Sequence, residues 1–128
     1  MGTIRLTMAQ ALVRYLSAQQ IDLDGRRVTL FAGVWAIFGH GNVAGIGEAL
    51  QSHREVLPTY RAHNEQAMAL AAIGFAKAMH RRRIMACTTS IGPGATNMVT
   101  AAAVIMLVAP GPIDVVHAIM RRRCVALA

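Results

Sequence analysis

The sequence predicts an α/β domain, a partial doubly wound parallel sheet with helices on both faces. Its 128 residues allow one domain and leave little room for a second. Hydrophobic residues make up 55% and charged residues 15%, a balance that excludes an intrinsically disordered chain. Segments typical of strands alternate with segments typical of helices, and this order favours a parallel sheet covered on both faces.

The N-terminal part predicts a helix followed by a turn. Residues 7–19 form the helix, which Thr7 caps and Gln10 completes as a capping box. One face of this helix should be buried, and it carries Met8, Leu12, Tyr15 and Leu16. Residues 22–25, with the sequence DLDG, then predict a turn.

Strands and helices alternate along the rest of the chain. Strands are predicted at 28–31, 34–38, 57–63 and 84–89. Helices are predicted at 43–51, 65–80 and 95–103. Asn64 is a good N-cap for the helix at 65–80. The buried face of that helix should hold Met68, Ala71, Ala72, Phe75 and Met79. Gly74 in its middle costs up to about 1 kcal/mol relative to alanine, so we expect close packing to favour it.

Glu65 is the acidic residue that carries the most functional information. In a parallel sheet the ligand binds beyond the carboxyl ends of the strands, which here precede residues 39–42, 63–65 and 90–97. Glu65 lies at that edge and can exchange a proton with a ligand nitrogen. An acid in the first turn of a helix also complements the helix dipole and needs no function. Both interpretations stay open on the residues alone.

Two glycine-containing turns are further candidates. Residues 90–97, SIGPGATN, resemble a phosphate cradle at a helix start, although no Lys-Ser/Thr follows as a P-loop requires. Gly39 and Gly41 lack the third glycine of a dinucleotide-binding fingerprint at the required spacing. His40 between them is either a ligand-facing acid, base or donor, or a structural turn residue.

Several other classes of function are disfavoured. The net charge of +7 is concentrated in clusters such as Arg81–Arg83 and Arg121–Arg123, without the interleaved aromatic residues of a nucleic-acid surface. The two cysteines and five histidines show no metal-ligand spacing, so no metal site is expected. Cys87 is predicted to be a small core residue. The chain opens without an apolar leader, which favours a cytoplasmic location. The uncharged run 84–113 is broken by Gly-Pro-Gly at 92–94, which disfavours a membrane span.

Three stretches together resemble the N-terminal pyrimidine-binding domain of thiamine-diphosphate-dependent enzymes. They are IFGHGNV (37–43), NEQAMALAAIGFA (64–76) and TSIGPGATN (89–97). The second and third are similar to acetolactate synthases and their relatives. The first, together with ACTTSIGPGATNMVTAAA (86–103), resembles more narrowly the trihydroxycyclohexane-1,2-dione hydrolases of myo-inositol catabolism.

The resemblance implies that Glu65 is catalytic, because the matching glutamate of the family hydrogen-bonds N1′ of the aminopyrimidine and so promotes loss of the thiazolium C2 proton. It implies thiamine diphosphate as the cofactor, bound by Phe38, Gly39, His40, Gly41, Glu65, Gly92, Pro93, Gly94 and Asn97. It further implies a cytoplasmic homo-oligomer, dimer or tetramer, that opens a ring C–C bond of a cyclic 1,2-diketone without nucleic acid or membrane. An acetolactate-synthase-like carboligase and a non-catalytic truncated chain are the alternatives.

The resemblance covers residues 1–103 as one pyrimidine-binding domain. In the family a separate domain with a GDG…NN motif holds the diphosphate and Mg²⁺, and no GDG occurs here, so we expect a truncated chain that is inactive alone. Residues 104–128 are predicted to be an atypical tail. The loss of resemblance and the arginine-rich end lead to the hypothesis of a shift in reading frame near codon 104.

Overall fold

Four helices accompany a small parallel sheet in the part of the chain that the computed structural model describes, residues 3–108. They are α1 (Met8–Ala18), α2 (Glu48–Ser52), α3 (Glu65–Ala78) and α4 (Pro93–Val108). A 3-10 turn at His40–Asn42 and a π-helical turn at Val43–Gly47 lead into α2. The helix predicted at 43–51 therefore exists, but it begins with irregular turns.

The strands form a hairpin and a three-stranded sheet. They are β1 (Gln20–Leu23), β2 (Arg26–Thr29), β3 (Phe31–Ala36), β4 (Thr59–Tyr60) and β5 (Ile84–Thr88). β1 and β2 pair antiparallel around Asp24 and Gly25, both of which have positive φ. β3 lies between β4 and β5 and runs parallel to both. This parallel sheet with its flanking helices confirms the predicted α/β class.

Several strand bounds differ from the predicted ones. The strand predicted at 28–31 is β2 at Arg26–Thr29, and the strand predicted at 34–38 is β3 at Phe31–Ala36. β1 was not expected, because its four residues are too short for their alternating burial to stand out beside the DLDG turn. The strand predicted at 57–63 shortens to β4, since Pro58 has no N–H to donate to a ladder. The Pro58 carbonyl nevertheless accepts a hydrogen bond from Val34 N at 2.8 Å, which anchors β4 to the central strand.

Helix α1 confirms the predicted cap but buries a neighbouring face. The Thr7 hydroxyl accepts from Gln10 N at 3.2 Å, and the Gln10 side chain accepts from Thr7 N at 3.0 Å. Val13 is buried, with Ala9 and Leu16 packed beside it. The predicted face was correct only for Leu16, and its exposed members are Met8, Leu12 and Tyr15. Because Ala9 is small, α1 packs against the π-helical turn at Gly45. The spacing of the large apolar residues along α1 does not predict this contact.

One buried cluster lies where α1, α2 and β3 meet. Its members are Val13, Val34, Ala36, Ala49, Leu50 and Leu57. Helix α3 packs instead against β5, β3 and α4, and it buries Met68, Ala69 and Ala72. Ala71, predicted on the buried face, is exposed. The prediction for Gly74 was also wrong, because among the described side chains and backbone of residues 3–108 nothing outside its own helix lies within 4 Å of the place where its Cβ would be.

Two arginines tie the turn after α3 to the hairpin. Arg82 Nη1 donates to Asp24 Oδ2 at 2.9 Å, and Arg83 donates from Nε to the Thr29 carbonyl at 2.9 Å. Arg83 Nη2 also donates to the Thr29 hydroxyl at 3.0 Å. This basic cluster is therefore partly structural, and it lies at the amino end of β5, away from the strand ends where a ligand is expected.

Helix α4 begins at Pro93, two residues before the predicted start, and its backbone continues through Val108. The predicted boundary at 103 falls inside this helix, while residues 109–128 of the predicted tail lie outside the described residues. No helix within residues 3–108 is long and apolar enough to cross a membrane.

Candidate active site

Three loops converge beyond the carboxyl ends of the parallel strands. The loop after β3 begins at Ile37, the loop after β4 leads to Asn64, and the loop after β5 begins at Thr89. Asn42 Nδ2 donates to the Thr89 carbonyl at 2.9 Å, which holds the first loop against the third. The sheet therefore brings together segments that lie about fifty residues apart in the sequence.

Glu65 stands at the centre of this arrangement as the first residue of α3. The Asn64 side chain accepts a hydrogen bond from Ala67 N at 2.8 Å, so the helix start is fixed one residue before the acid. Glu65 is 8% exposed, and it is the buried charged residue of the described chain. Within residues 3–108 no group donates a hydrogen bond to its carboxylate. A buried carboxylate without a partner is costly, so a ligand that donates to it would be favoured.

The Glu65 carboxylate lies against the first turn of α4. A Cβ built on Gly94 would meet Glu65 Oε1 at less than any real contact distance and would lie 2.9 Å from Glu65 Cδ. Ser90 Oγ lies 2.9 Å from the same point. The carboxylate and the serine hydroxyl are thus neighbours in the space beside Gly94.

Ser90 also meets the loop after β3. A Cβ on Gly39 would lie 2.8 Å from Ser90 Cβ, so these two backbones approach each other closely. Ser90 is not among the predicted site residues, although it belongs to the SIGPGATN turn. The signal that identifies it is its place directly after the strand predicted at 84–89, beside the glycines of that turn.

The structure gathers only some of the predicted residues around Glu65. Gly39 and Gly94 lie with Glu65 around Ser90. Five other residues that were predicted to bind the cofactor are exposed. They are His40, Gly41, Gly92, Pro93 and Asn97. His40 has φ 51° and Gly92 has φ 69°, so both turn the backbone through the left-handed region.

Phe38 lies towards a neighbouring groove. The Arg61 guanidinium sits 5.6 Å from the centre of its ring, within reach of a cation–π contact. Phe38 and Arg61 line an open groove of about 650 Å³ between α2 and β4. Glu65 and Gly94 do not line this groove, so the groove and the Glu65 carboxylate do not coincide. Glu65 marks the site more strongly than the groove, because it is a mostly buried acidic residue whose carboxylate accepts no hydrogen bond within residues 3–108.

Cys87 has no role in this site. It lies half-buried in β5, and burial raises the pKa of its thiol from 9.0 to about 11. The reactive thiolate is therefore scarce at neutral pH. No cluster of three metal-ligating side chains occurs within residues 3–108.

Comparison with known families identifies the domain. The family described as "Thiamine pyrophosphate enzyme, N-terminal TPP binding domain" matches residues 29–111. The chain belongs to this family. The match confirms the family that the sequence motifs indicate, and it includes all three loops at the carboxyl edge of the sheet.

Individual proteins similar to this chain share a single printed name. The chain is 54% identical over 103 residues to the 3D-(3,5/4)-trihydroxycyclohexane-1,2-dione hydrolase of Clostridium tetani, and 52% identical over 103 residues to that of Bacillus thuringiensis. Each alignment covers 80% of this chain and 16% of the relative. The chain thus spans about one sixth of the length of these relatives.

Proposed function

We propose that this domain binds the aminopyrimidine half of thiamine diphosphate at the carboxyl edge of its sheet, with Glu65 hydrogen-bonded to N1′. The observation that carries the proposal is the Glu65 carboxylate, which is 8% exposed and accepts no hydrogen bond within residues 3–108. A heterocyclic nitrogen that shares a proton with this carboxylate would supply its partner.

The residues around Glu65 fit such a ligand. Gly39 and Gly94 have no side chain at the places where Ser90 and the Glu65 carboxylate lie, so the loops after β3 and β5 come close to the acid. Phe38 is the aromatic residue beside this edge, and it stays in the proposed set with His40, Gly41, Gly92, Pro93 and Asn97 as residues contributed by the two loops.

Thiamine diphosphate supplies a carbon acid that, once deprotonated, adds to carbonyl groups. The role of this chain is to control the proton at the far side of the pyrimidine ring. Glu65 would share a proton with N1′, and this hydrogen bond would acidify the amino group across the ring, so that its imino form could accept a proton.

The activity of the whole protein is proposed from its relatives. The printed name of the two hydrolases implies a cyclic 1,2-dione substrate, and we propose the same hydrolytic cleavage of a C–C bond for the protein that contains this domain. We further propose that it acts in the cytoplasm as a homo-oligomer.

A chimera tests this activity. The matched residues of this chain would replace the corresponding residues of the Clostridium tetani hydrolase, which already shares 54% of them. We expect the chimera to hydrolyse trihydroxycyclohexane-1,2-dione, and Glu65→Gln to lower its rate by about 100-fold or more, because a general acid–base contribution is worth 10²–10⁴-fold. Near-wild-type turnover in that variant would overturn the role of Glu65. Acetolactate formed from pyruvate, without dione hydrolysis, would instead support the carboligase alternative.

A further inference from the structure

Position 94 controls the space in which the Glu65 carboxylate lies. The ideal Cβ of a residue there would be 2.9 Å from Glu65 Cδ, closer still to Oε1, and 2.9 Å from Ser90 Oγ. Ordinary van der Waals contacts of a Cβ begin at 3.4 Å. The carboxylate therefore occupies a place that is open only because residue 94 has no side chain.

The backbone gives no other reason for glycine at this position. Gly94 lies inside α4 and its φ is outside the left-handed region, so alanine fits the local conformation. A helix ordinarily favours alanine over glycine. Gly92, two residues earlier, differs because its φ of +69° needs glycine for conformation. Contact with Glu65 and Ser90 is what distinguishes Gly94.

We propose that Gly94 is a positioning residue that fixes the Glu65 carboxylate for its hydrogen bond to the cofactor pyrimidine. This inference rests on the proposed function, since it assigns to Gly94 the placement of the acid that the function requires. Gly94 acts through Glu65, and its own backbone need not touch the reacting atoms.

The chemistry of the neighbours predicts how Gly94→Ala behaves. The crowded atoms belong to the ends of the Glu65 and Ser90 side chains, and none belongs to the backbone. Both ends can rotate away about single bonds, so the fold survives while the carboxylate is displaced. Gly74→Ala is the matched control, because it makes the same chemical change in a helix with no atom within 4 Å.

The first test measures a preference between two probes on the 128-residue chain. Dissociation constants for thiamine diphosphate and for its analogue with C–H in place of N1′ are measured by ligand-observed NMR. We expect wild type and Gly74→Ala to prefer thiamine diphosphate by about tenfold or more, as a charge-assisted hydrogen bond implies. Gly94→Ala and Glu65→Gln should lose that preference, whereas a general weakening of the fold would reduce the affinity for both probes equally.

The outcomes separate the two proposals. If wild type shows no preference for the probe with N1′, the proposed function fails. If wild type shows the preference and Gly94→Ala retains it, the positioning role is overturned while the proposed function stands.

Thermal unfolding tests the contact without any ligand. Gly94→Ala should lower the melting temperature in wild type by more than it does in a Glu65→Ala background, because the clashing carboxylate is absent there. If Gly94→Ala does not fold, recovery of folding in the double variant supports the contact. Equal losses in both backgrounds, or failure of both to fold, overturn it.

Discussion

Gly33→Ala should separate β4 from the central strand. Gly33 is buried in β3, and a Cβ there would lie 2.7 Å from the Pro58 carbonyl oxygen and 2.7 Å from Tyr60 Cε2. The Met85 methyl would follow at 3.3 Å. The Pro58 oxygen is a backbone atom that also accepts the hydrogen bond from Val34 N, so it cannot rotate away as a side-chain end can.

The cost follows from this crowding. Overpacking of a tight interior costs about 1–3 kcal/mol, and each kcal/mol lowers the melting temperature of a domain of this size by roughly 4–8 °C. Thermal and urea unfolding of the 128-residue chain, followed by circular dichroism, measure this loss. Gly74→Ala again serves as the control, because the same added methyl group meets open space.

Trp35 supplies a local measurement of the same change. Its ring lies 5.4 Å from the ring of Tyr60 on β4, at an angle of 43°. Displacement of β4 should therefore alter the emission of Trp35, the single tryptophan of the chain. Unchanged stability and unchanged Trp35 emission in Gly33→Ala would refute the assigned packing of β4 on β3.

The remaining predictions concern α3 and β5. Gly74→Ala should stabilise the chain by about 0.5–1 kcal/mol, because alanine is the better helix former, and a melting temperature that does not rise would contradict this. Asn64→Ala should cost about 0.5–2 kcal/mol through loss of the cap on Ala67 N, while Asn64→Asp keeps an acceptor and should retain most of the stability in urea unfolding. The raised pKa of Cys87 means that, between pH 9.0 and about 11, the folded chain keeps the thiol proton while the unfolded chain loses it. The contribution of Cys87 to the free energy of unfolding is therefore full below pH 9.0 and is lost as the pH rises through about 11. Cys87→Ala should remove that part of the alkaline loss, and in a Cys124→Ser background iodoacetamide should label folded Cys87 slowly at pH 8.

The starts of α1 and α3 were predictable because the interactions that fix them are local. Thr7 and Asn64 bond to backbone groups three residues ahead, and those distances are visible in the sequence. The buried face of α1 was not predictable in the same way. Whether Val13 or Leu12 faces the core depends on how α1 packs against its neighbours. The apolar pattern within α1 does not predict that packing.

In the candidate site, too, the locally determined features were predictable from the sequence and the contacts between distant segments were not. The alternation of strands and helices was enough to predict Glu65 at the carboxyl edge of the sheet, where α3 begins in the structure. The sequence did not reveal that Gly94 leaves room for the Glu65 carboxylate, or that Ser90 lies beside both. Those contacts depend on how α3 packs against α4, and the sequence of either helix alone does not determine that packing.

The order of the strands also determines when they can pair during synthesis. β3 is the central strand, but its partner β4 follows about 25 residues later and β5 about 50 residues later. At roughly 5–20 residues per second, the ribosome needs several seconds to supply β5 after β3 has emerged. During that interval the apolar strand FAGVWA lacks a partner on the β5 side, so a nascent chain stalled before residue 84 exposes an edge with which other nascent chains can pair.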